Sequence, residues 1–430
     1  MKRLLVIANL HHASPRIPAL LATLTELGWQ ATVVTPPLGE NAEFVLGLPA
    51  GFTERVEIAV APYRGDIFWF WRKVLRALGF SSQSSSTEQI KERVGSGEGS
   101  VVDRLMRAYQ TVFAIPDTEW PWHRSAFRTA QALLATQHFD VVLSSSPHPT
   151  VHRVAARLRK LHKIKWIADF RDPWSQNHCY SLPKFRLHID RWMEVRTLAN
   201  ADLITTVSSG FAEKLVQLHG ARVVVIRNGY QSMPDSGSAA LPECFTISYT
   251  GTIYAGKQDP NKVLAALRRL IEAGQIARER IALNFYGRYD STLQQAIAEH
   301  ELEGVAVQQG SLPRAEIRRR QRASHLLLLL QWEDPDEQGI FPLKFYEYLD
   351  AGRPILATGG GESNEIGAIL DETRTGATAV TVLEIEQALL RAYEAYLTRG
   401  TPDYQGIPEA IARYSYSGCA RQLAACLEQI

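Results

Sequence analysis

Residues 342–357, PLKFYEYLDAGRPILA, set a cation and a carboxylate one helical turn apart near the start of a helix. Leu343, Phe345, Tyr346 and Leu349 would cover its buried face, leaving Lys344, Glu347 and Asp350 to water or a partner. Just upstream, QGIFPLKFYEYL supplies Gly339, a loop and first-turn helix amides that favour an anion. Two earlier apolar runs end in glycine, YTGTIYAGK at Gly251 and FYGRYD at Gly287, with Lys257 and Arg288 just beyond. A glycine after a strand lets backbone N–H groups approach a phosphate. A diphosphate between cations, with a diol held by Glu347, is the chemistry of a nucleotide sugar. The plainer alternative is a solvated helix face beside common strand–glycine turns.

The first half of the chain has its own candidates. SSSPHPTVHR puts His148 after an apolar run, and ADFRDPW puts Arg171, Asp172 and Trp174 after the next. His148 could cap the following helix, and the Arg–Asp pair could order a loop. Asn9, His11, His12 and Arg16 follow the first apolar run. The basic run RAEIRRRQRASH (314–325) lacks interleaved aromatics and reads as a solvated helix face rather than a nucleic-acid patch. No GxGxxG follows the first strand, which argues against a dinucleotide oxidoreductase. Cys179, Cys244, Cys419 and Cys426 show no metal spacing, so neither zinc nor a disulfide is expected.

These residues need elements to position them, and the pattern supplies two sets. Apolar runs at 3–9, 31–35, 140–146, 165–169, 201–208 and 222–229 alternate with helical stretches. After a Ser-, Pro- and Gly-bearing segment (230–244), runs at 245–251, 280–287, 304–310, 325–331 and 354–359 repeat the alternation. Continuous apolar strands between helices indicate parallel sheets covered on both faces. The expected fold class is therefore α/β, two Rossmann-like doubly wound domains facing across a cleft. Their spans would be 1–235 and 243–410, with an amphipathic helix at 411–430 returning to the first. A length of 430 residues suits two domains, and a formal net charge of +2 gives no global nucleic-acid signature. The N-terminal apolar run is too short for a secretory signal, and no window reaches a bilayer-spanning length, so a cytoplasmic protein is expected.

Residues 64–100 interrupt the pattern, being aromatic and basic, then low in complexity. If DIFWFWRKVLRALGF is helical, Ile67, Phe68, Phe70, Trp71, Val74, Leu75 and Leu78 form an apolar stripe edged by Arg72, Lys73 and Arg76. Such a helix could give peripheral membrane contact through 66–80, at the inner face of the membrane, or pack on the first sheet.

The motifs from Phe245 to Gly361 resemble glycosyltransferases of the GT-B type, specifically family 4. Gly251 and Lys257 match that family's turn and following lysine, with Thr252 where an arginine is usual. EYLDAGRPILA matches the second glutamate of its paired-glutamate motif at Glu347, while Gly339 stands at the first position and Glu337 lies two residues earlier. The resemblance implies a metal-independent hexosyl transferase acting with retention on a nucleotide diphosphate sugar and a glycan or lipid-linked acceptor. It implies that Glu347 contacts ribose hydroxyls and that the loop Asn9, His11, His12, Arg16 faces the acceptor. His148, Arg171 and Asp172 fall in stretches similar to those of relatives acting on cell-surface sugars. No cofactor and no metal is implied. The alternatives are a nucleotide-sugar epimerase on the same fold, or a catalytically silent GT-B partner subunit.

Overall fold

Short runs of Val, Ile and Leu bounded by polar or glycine residues become the strands, because helices cover both sheet faces and leave no polar side to alternate with. The computed structural model describes residues 2–39, 42, 46–69, 108–177, 183–232, 240–333, 339–360, 364–401 and 403–430. It divides into two compact units, Met1–Ile226 with Ala420–Ile430, and Arg227–Cys419.

The first unit holds β1 (Lys2–Ile7), β2 (Trp29–Thr35), β3 (Glu57–Val60), β4 (Val141–Ser145), β5 (Lys165–Phe170), β6 (Leu203–Thr206) and β7 (Val223–Val225). They form one parallel sheet in the order β3-β2-β1-β4-β5-β6-β7. Its core packs Leu5, Ile7, Val142, Trp166 and Ile204 against Trp122, Phe127, Val154 and Leu158. Trp174, singled out above for chemistry, is one of these buried core residues. The half-exposed strand β3 escaped the sequence reading because EIAV is too short and too mixed to show a period.

The second unit holds β8 (Phe245–Thr250), β9 (Ile281–Tyr286), β10 (Ala306–Gly310), β11 (Leu326–Leu330), β12 (Ile355–Thr358) and β13 (Gly376–Ala379). This sheet is also parallel, in the order β10-β9-β8-β11-β12-β13. The contact boundary falls at Ile226, ahead of the Ser- and Pro-bearing segment read as a linker. Tyr230 explains why: its N–H donates to Tyr414 O (3.2 Å) and its carbonyl accepts from Tyr416 N (2.9 Å), which ties it to the second unit. The helix Tyr416–Gln429 begins in the second unit, and its residues from Ala420 onward belong to the first. Most of the aromatic and basic stretch 66–80 lies outside the described residues. Among those described, Ile67 and Phe68 pack with Ala114 in a small buried cluster.

The basic run is a solvated face in part only. The helix Arg314–Arg322 sets Arg318, itself buried, against Asp350, with Arg322 reaching the same carboxylate at 3.0 Å. Arg314 meets Glu347 at 3.0 Å, so one side of this helix is paired to the helix Leu343–Ala351. Arg314, Arg319 and Arg320 are exposed and fit the solvated reading, the last two sharing Glu316.

At the carboxyl end of β5, Asp169 is buried and pairs with Arg16, equally buried, at 3.0 Å. Ser145 and Thr205, register partners of Asp169 on β4 and β6, donate to the same carboxylate at 2.7 and 2.9 Å. Arg16 also donates to Ile226 O at 2.8 Å. Burial raises the Asp169 pKa, but the Arg16 charge and these hydrogen bonds outweigh it and hold the carboxyl below the usual range. Removing one member strands the other in the core, at a cost of about 3–5 kcal/mol. In urea denaturation Arg16→Met should lose stability of that order, while Arg16→Met with Asp169→Leu should recover part of it. The lowered Asp169 pKa adds stability above the unfolded carboxylate value that disappears as pH falls through the folded one.

Candidate functional site

Strand order in each sheet reverses beside a central strand, between β1 and β4 in the first unit and between β8 and β11 in the second. Beyond the carboxyl ends of such a strand pair the loops diverge and leave a crevice. Several of the sequence-derived candidates lie on the loops at or beside these two places.

In the second unit the two glycine turns meet. Gly251, at φ +105°, donates its N–H to Tyr286 O at 2.7 Å, and a Cβ on Gly287 would lie 2.4 Å from Gly251 O. A Cβ on Gly251 would come within 2.9 Å of Lys344 Nζ, so glycine here leaves room for that ammonium as well as for the backbone. Lys344 Nζ donates to Tyr249 Oη at 2.5 Å and lies 3.9 Å from the centroid of its ring. Burial pushes the Lys344 pKa down to about 7, a fall that the charge of Glu347 only partly opposes. Gly251, Gly287 and Lys344 are thus brought together. The helix behind Lys344 starts at Pro342, which has no side-chain acceptor for the first-turn amides.

Glu347 answers to Arg314, through Nη2 at 3.0 Å and Nε at 3.3 Å, with Gln321 Nε2 at 3.5 Å from its other oxygen. A carboxylate has lone pairs enough to accept further donors. Lys257 sits elsewhere, 5.3 Å from the Trp332 ring centroid, its carbonyl accepting from Glu333 N at 3.0 Å. It lines a cavity of about 270 Å³ together with Asp259, Asn261, Asp290 and Glu333. Neither Gly251 nor Lys344 lines that cavity. Thr252 accepts from Tyr249 Oη through its carbonyl at 2.9 Å. Arg288 is exposed just past Gly287, and Gly339 is half-buried at φ +93°. Glu337 lies outside the described residues.

In the first unit Asn9 caps the short helix Leu10–Ala13, accepting from His11 N at 3.1 Å, and its amide donates to Glu119 at 3.3 Å. His12 Nε2 stands 3.7 Å from the other Glu119 oxygen, and its ring meets that of His148 edge-on at 4.6 Å. Arg171 donates to His12 O at 2.8 Å, with Asp172 4.0 Å behind it. Asp117 caps the next helix, accepting from Thr150 N at 2.6 Å and Oγ1 at 3.0 Å while also accepting from Glu119 N at 2.7 Å. Burial raises the Asp117 carboxyl to about 6 despite those bonds. Burial raises Glu119 too, but the His12 hydrogen bond and the His148 charge outweigh it and lower its pKa. Asn9, His11, His12, Tyr63, Arg64 and Glu119 line a cavity of about 310 Å³. Arg16, expected on this loop, is instead buried against Asp169 and lines no part of the cavity.

Asp117, Glu119 and Tyr63 were not candidates in the sequence, nor were Tyr249, Trp332 and Arg314. Glu119 lies in IPDTEWPW, whose only hint is an acid pair among prolines and tryptophans. A carboxylate against an imidazole at a cavity wall can orient the ring and set its proton for acid–base work. His12, Glu119 and His148 also place one ligand atom each within 4.8 Å of one another, a donor set that could gather a divalent cation.

Residues 88–231 match the family model described as Glycosyltransferase Family 4, a segment that includes Glu119, His148, Arg171 and Asp172. The match thus falls almost wholly on the first unit, whereas the motif resemblance centred on the second. No curated protein matches the chain by sequence. Among solved structures, Anabaena HepE in complex with UDP and glucose is similar over 100% of both chains, at TM-score 0.62 and 12% identity. Sucrose-phosphate synthase from Thermosynechococcus elongatus is similar over 100% of this chain and 99% of its own, at TM-score 0.57 and 14% identity. The apo lipopolysaccharide outer core galactosyltransferase WaaB is similar over 99% of each chain, at TM-score 0.56 and 13% identity. The chain has the GT-B fold of two Rossmann-like domains and resembles glycosyltransferase family 4.

The depressed Lys344 pKa makes a prediction that needs no ligand. Between pH 7 and the ordinary lysine value the unfolded chain binds a proton that the folded chain does not, so this group's contribution to stability rises with pH across that window. Lys344→Met should therefore gain on the wild type most below pH 7, with the difference shrinking toward pH 10. Denaturation series of both proteins across this range check it, and a pH-independent difference would refute the assignment.

Proposed function

We propose that the chain is a glycosyltransferase that moves a hexosyl group from a nucleotide diphosphate sugar to a glycan or lipid-linked acceptor, with retention, in cell-surface polysaccharide or glycoconjugate synthesis. The observation that carries this reading is Lys344, a desolvated cation held beside two abutting glycine turns that end β8 and β9. On this reading a diphosphate there meets the Lys344 ammonium and the first-turn amides of Leu343–Ala351, and Lys257, further along the loop that holds Gly251, adds charge. Arriving anionic charge favours the protonated amine, so donor binding near neutral pH takes up a proton. Glu347 accepts from the ribose hydroxyls while Arg314 holds it oriented.

Departure of the nucleotide diphosphate is the step these groups assist, since negative charge grows on the leaving oxygen as the bond to the sugar breaks. The acceptor proton passes to that departing phosphate. On the first unit, His12, oriented by Glu119, and His148 hold the sugar or the acceptor, and Arg171 and Asp172 order the loop behind them. Lys and helix amides take the place of a metal, and the protein works in the cytoplasm at the inner face of the membrane.

A thermal-shift panel of UDP-, GDP-, ADP- and TDP-sugars identifies the donor, since a ligand that binds the folded state raises its melting temperature. With that donor, Glu347→Gln should weaken binding in calorimetry while scarcely moving the melting temperature. An unchanged dissociation constant removes Glu347 from the ribose site. Charge-assisted bonds to phosphate are worth about 1.5–3 kcal/mol, so Lys257→Ala or Lys344→Ala should cut turnover at least tenfold. Full activity in both variants would place the diphosphate elsewhere.

The metal-free reading has its own check: turnover should persist after dialysis against EDTA. Loss restored by a divalent cation would assign His12, Glu119 and His148 to a metal. Donor hydrolysis without transfer to any acceptor would favour the epimerase alternative, and no turnover with any donor the silent subunit.

A further inference from the structure

The helix Lys184–Leu198 of the first unit is turned inside out. It buries Arg186, Asp190 and Glu194, and it exposes Phe185 (59%) and Trp192 (60%) to solvent together with Ile189 and Val195. The buried charges are fixed in place. Arg186 pairs with Asp190 at 2.9 Å and donates to the carbonyls of Thr111, Ala114 and Pro116. Glu194 accepts from Ser175 N at 2.9 Å and faces His219 at 3.2 Å. Rotating the helix to hide its aromatic side would break every one of these, so the exposure is built in.

The surroundings extend the surface. The segment gripped by Arg186 exposes Val112 and Phe113, and Trp120, also exposed, donates to Phe113 O at 2.9 Å. The charges on the exposed side of the helix have one sign. Lys184, Arg191 and Arg196 are exposed, Arg196 lying 5.0 Å from the Trp192 ring centroid, while both acids of the helix point inward. An exposed apolar patch of this kind marks a surface that something covers. Aromatic and aliphatic side chains with a fringe of cations match the headgroup layer of an anionic bilayer, where rings sit at the interface and basic side chains meet lipid phosphates. No helix among the described residues is long and apolar enough to cross a membrane.

We propose that the exposed face of Lys184–Leu198 docks the protein on an anionic membrane surface, with Phe185, Ile189 and Trp192 entering the interface. This rests on the geometry of the first unit and not on the glycosyltransferase reading, and its test does not involve turnover. The full-length protein is sedimented with vesicles of phosphatidylcholine alone and of phosphatidylcholine mixed with phosphatidylglycerol. It should pellet with the mixed vesicles, less with the neutral ones, and be released by salt. Phe185→Ser with Trp192→Ser should lower partitioning at least tenfold, as should Arg191→Glu with Arg196→Glu. All four side chains are exposed, so melting temperatures should stay at the wild-type value, and agreement between the two pairs separates docking from misfolding. Wild-type protein remaining in the supernatant overturns the proposal, as does wild-type partitioning by both variants. It is equally overturned if binding is lost only with Trp69→Ser and Trp71→Ser. A dimer in light scattering that dissociates in the Phe185/Trp192 variant, without lipid binding, would assign the face to a second copy instead.

Discussion

Every strand in each sheet runs parallel to its neighbours, and from that constraint the placement of the chemistry follows. A parallel sheet must be linked by helices crossing its faces, and a doubly wound order must reverse beside a central strand. At the reversal the two connecting loops leave in opposite directions, and the backbone at the strand ends is no longer held by the ladder. The loop after β1 carries Asn9 and His12, and that after β4 carries His148. In the second unit Gly251 and Lys257 follow β8, and Trp332 follows β11. Residues far apart in the chain meet there because topology opens space at those points.

The two units handle buried charge in opposite ways. In the first, Arg16 and Asp169 satisfy one another, and hydroxyls from two flanking strands complete the carboxylate, so the pair serves as a brace under the loops. In the second, the close partner of Lys344 is a neutral phenol, while the nearby Glu347 carboxylate is engaged by Arg314. The first arrangement leaves little to gain from a ligand. The second leaves an amine whose charge is suppressed by desolvation, and an incoming anion restores it. A strongly shifted group in a crevice beyond the strand ends is a mark of a functional site.

The helix Lys184–Leu198 shows the same logic at the surface. Arg186, Asp190 and Glu194 are committed to the interior by their hydrogen bonds, and Phe185, Ile189, Trp192 and Val195 are left outside beside Lys184, Arg191 and Arg196. Periodicity assigns an apolar stripe to the core by default, and here tertiary hydrogen bonds reverse that assignment.

The sequence by itself determined the strands with strong apolar runs, the division into two α/β halves, the glycine turns at Gly251 and Gly287, and the helix carrying Lys344 and Glu347. Each of these is written in a window of a few residues, where side-chain period and backbone permissiveness act locally. Weak strands such as β3 were not legible, because four mixed residues carry no period. Only the tertiary structure decided that Glu119 joins Asn9, 110 positions away, and meets His12 beside His148. It likewise decided that Arg314 rather than Lys344 pairs with Glu347, that Trp174 is core, and that the basic helix packs through Arg318 and Arg322 on Asp350. These are contacts between loops and helices whose spacing in the chain is arbitrary, and no local pattern encodes them. They exist because the sheet order brings those strand ends side by side, where a charge desolvated by folding must find whichever counter-group the topology delivers.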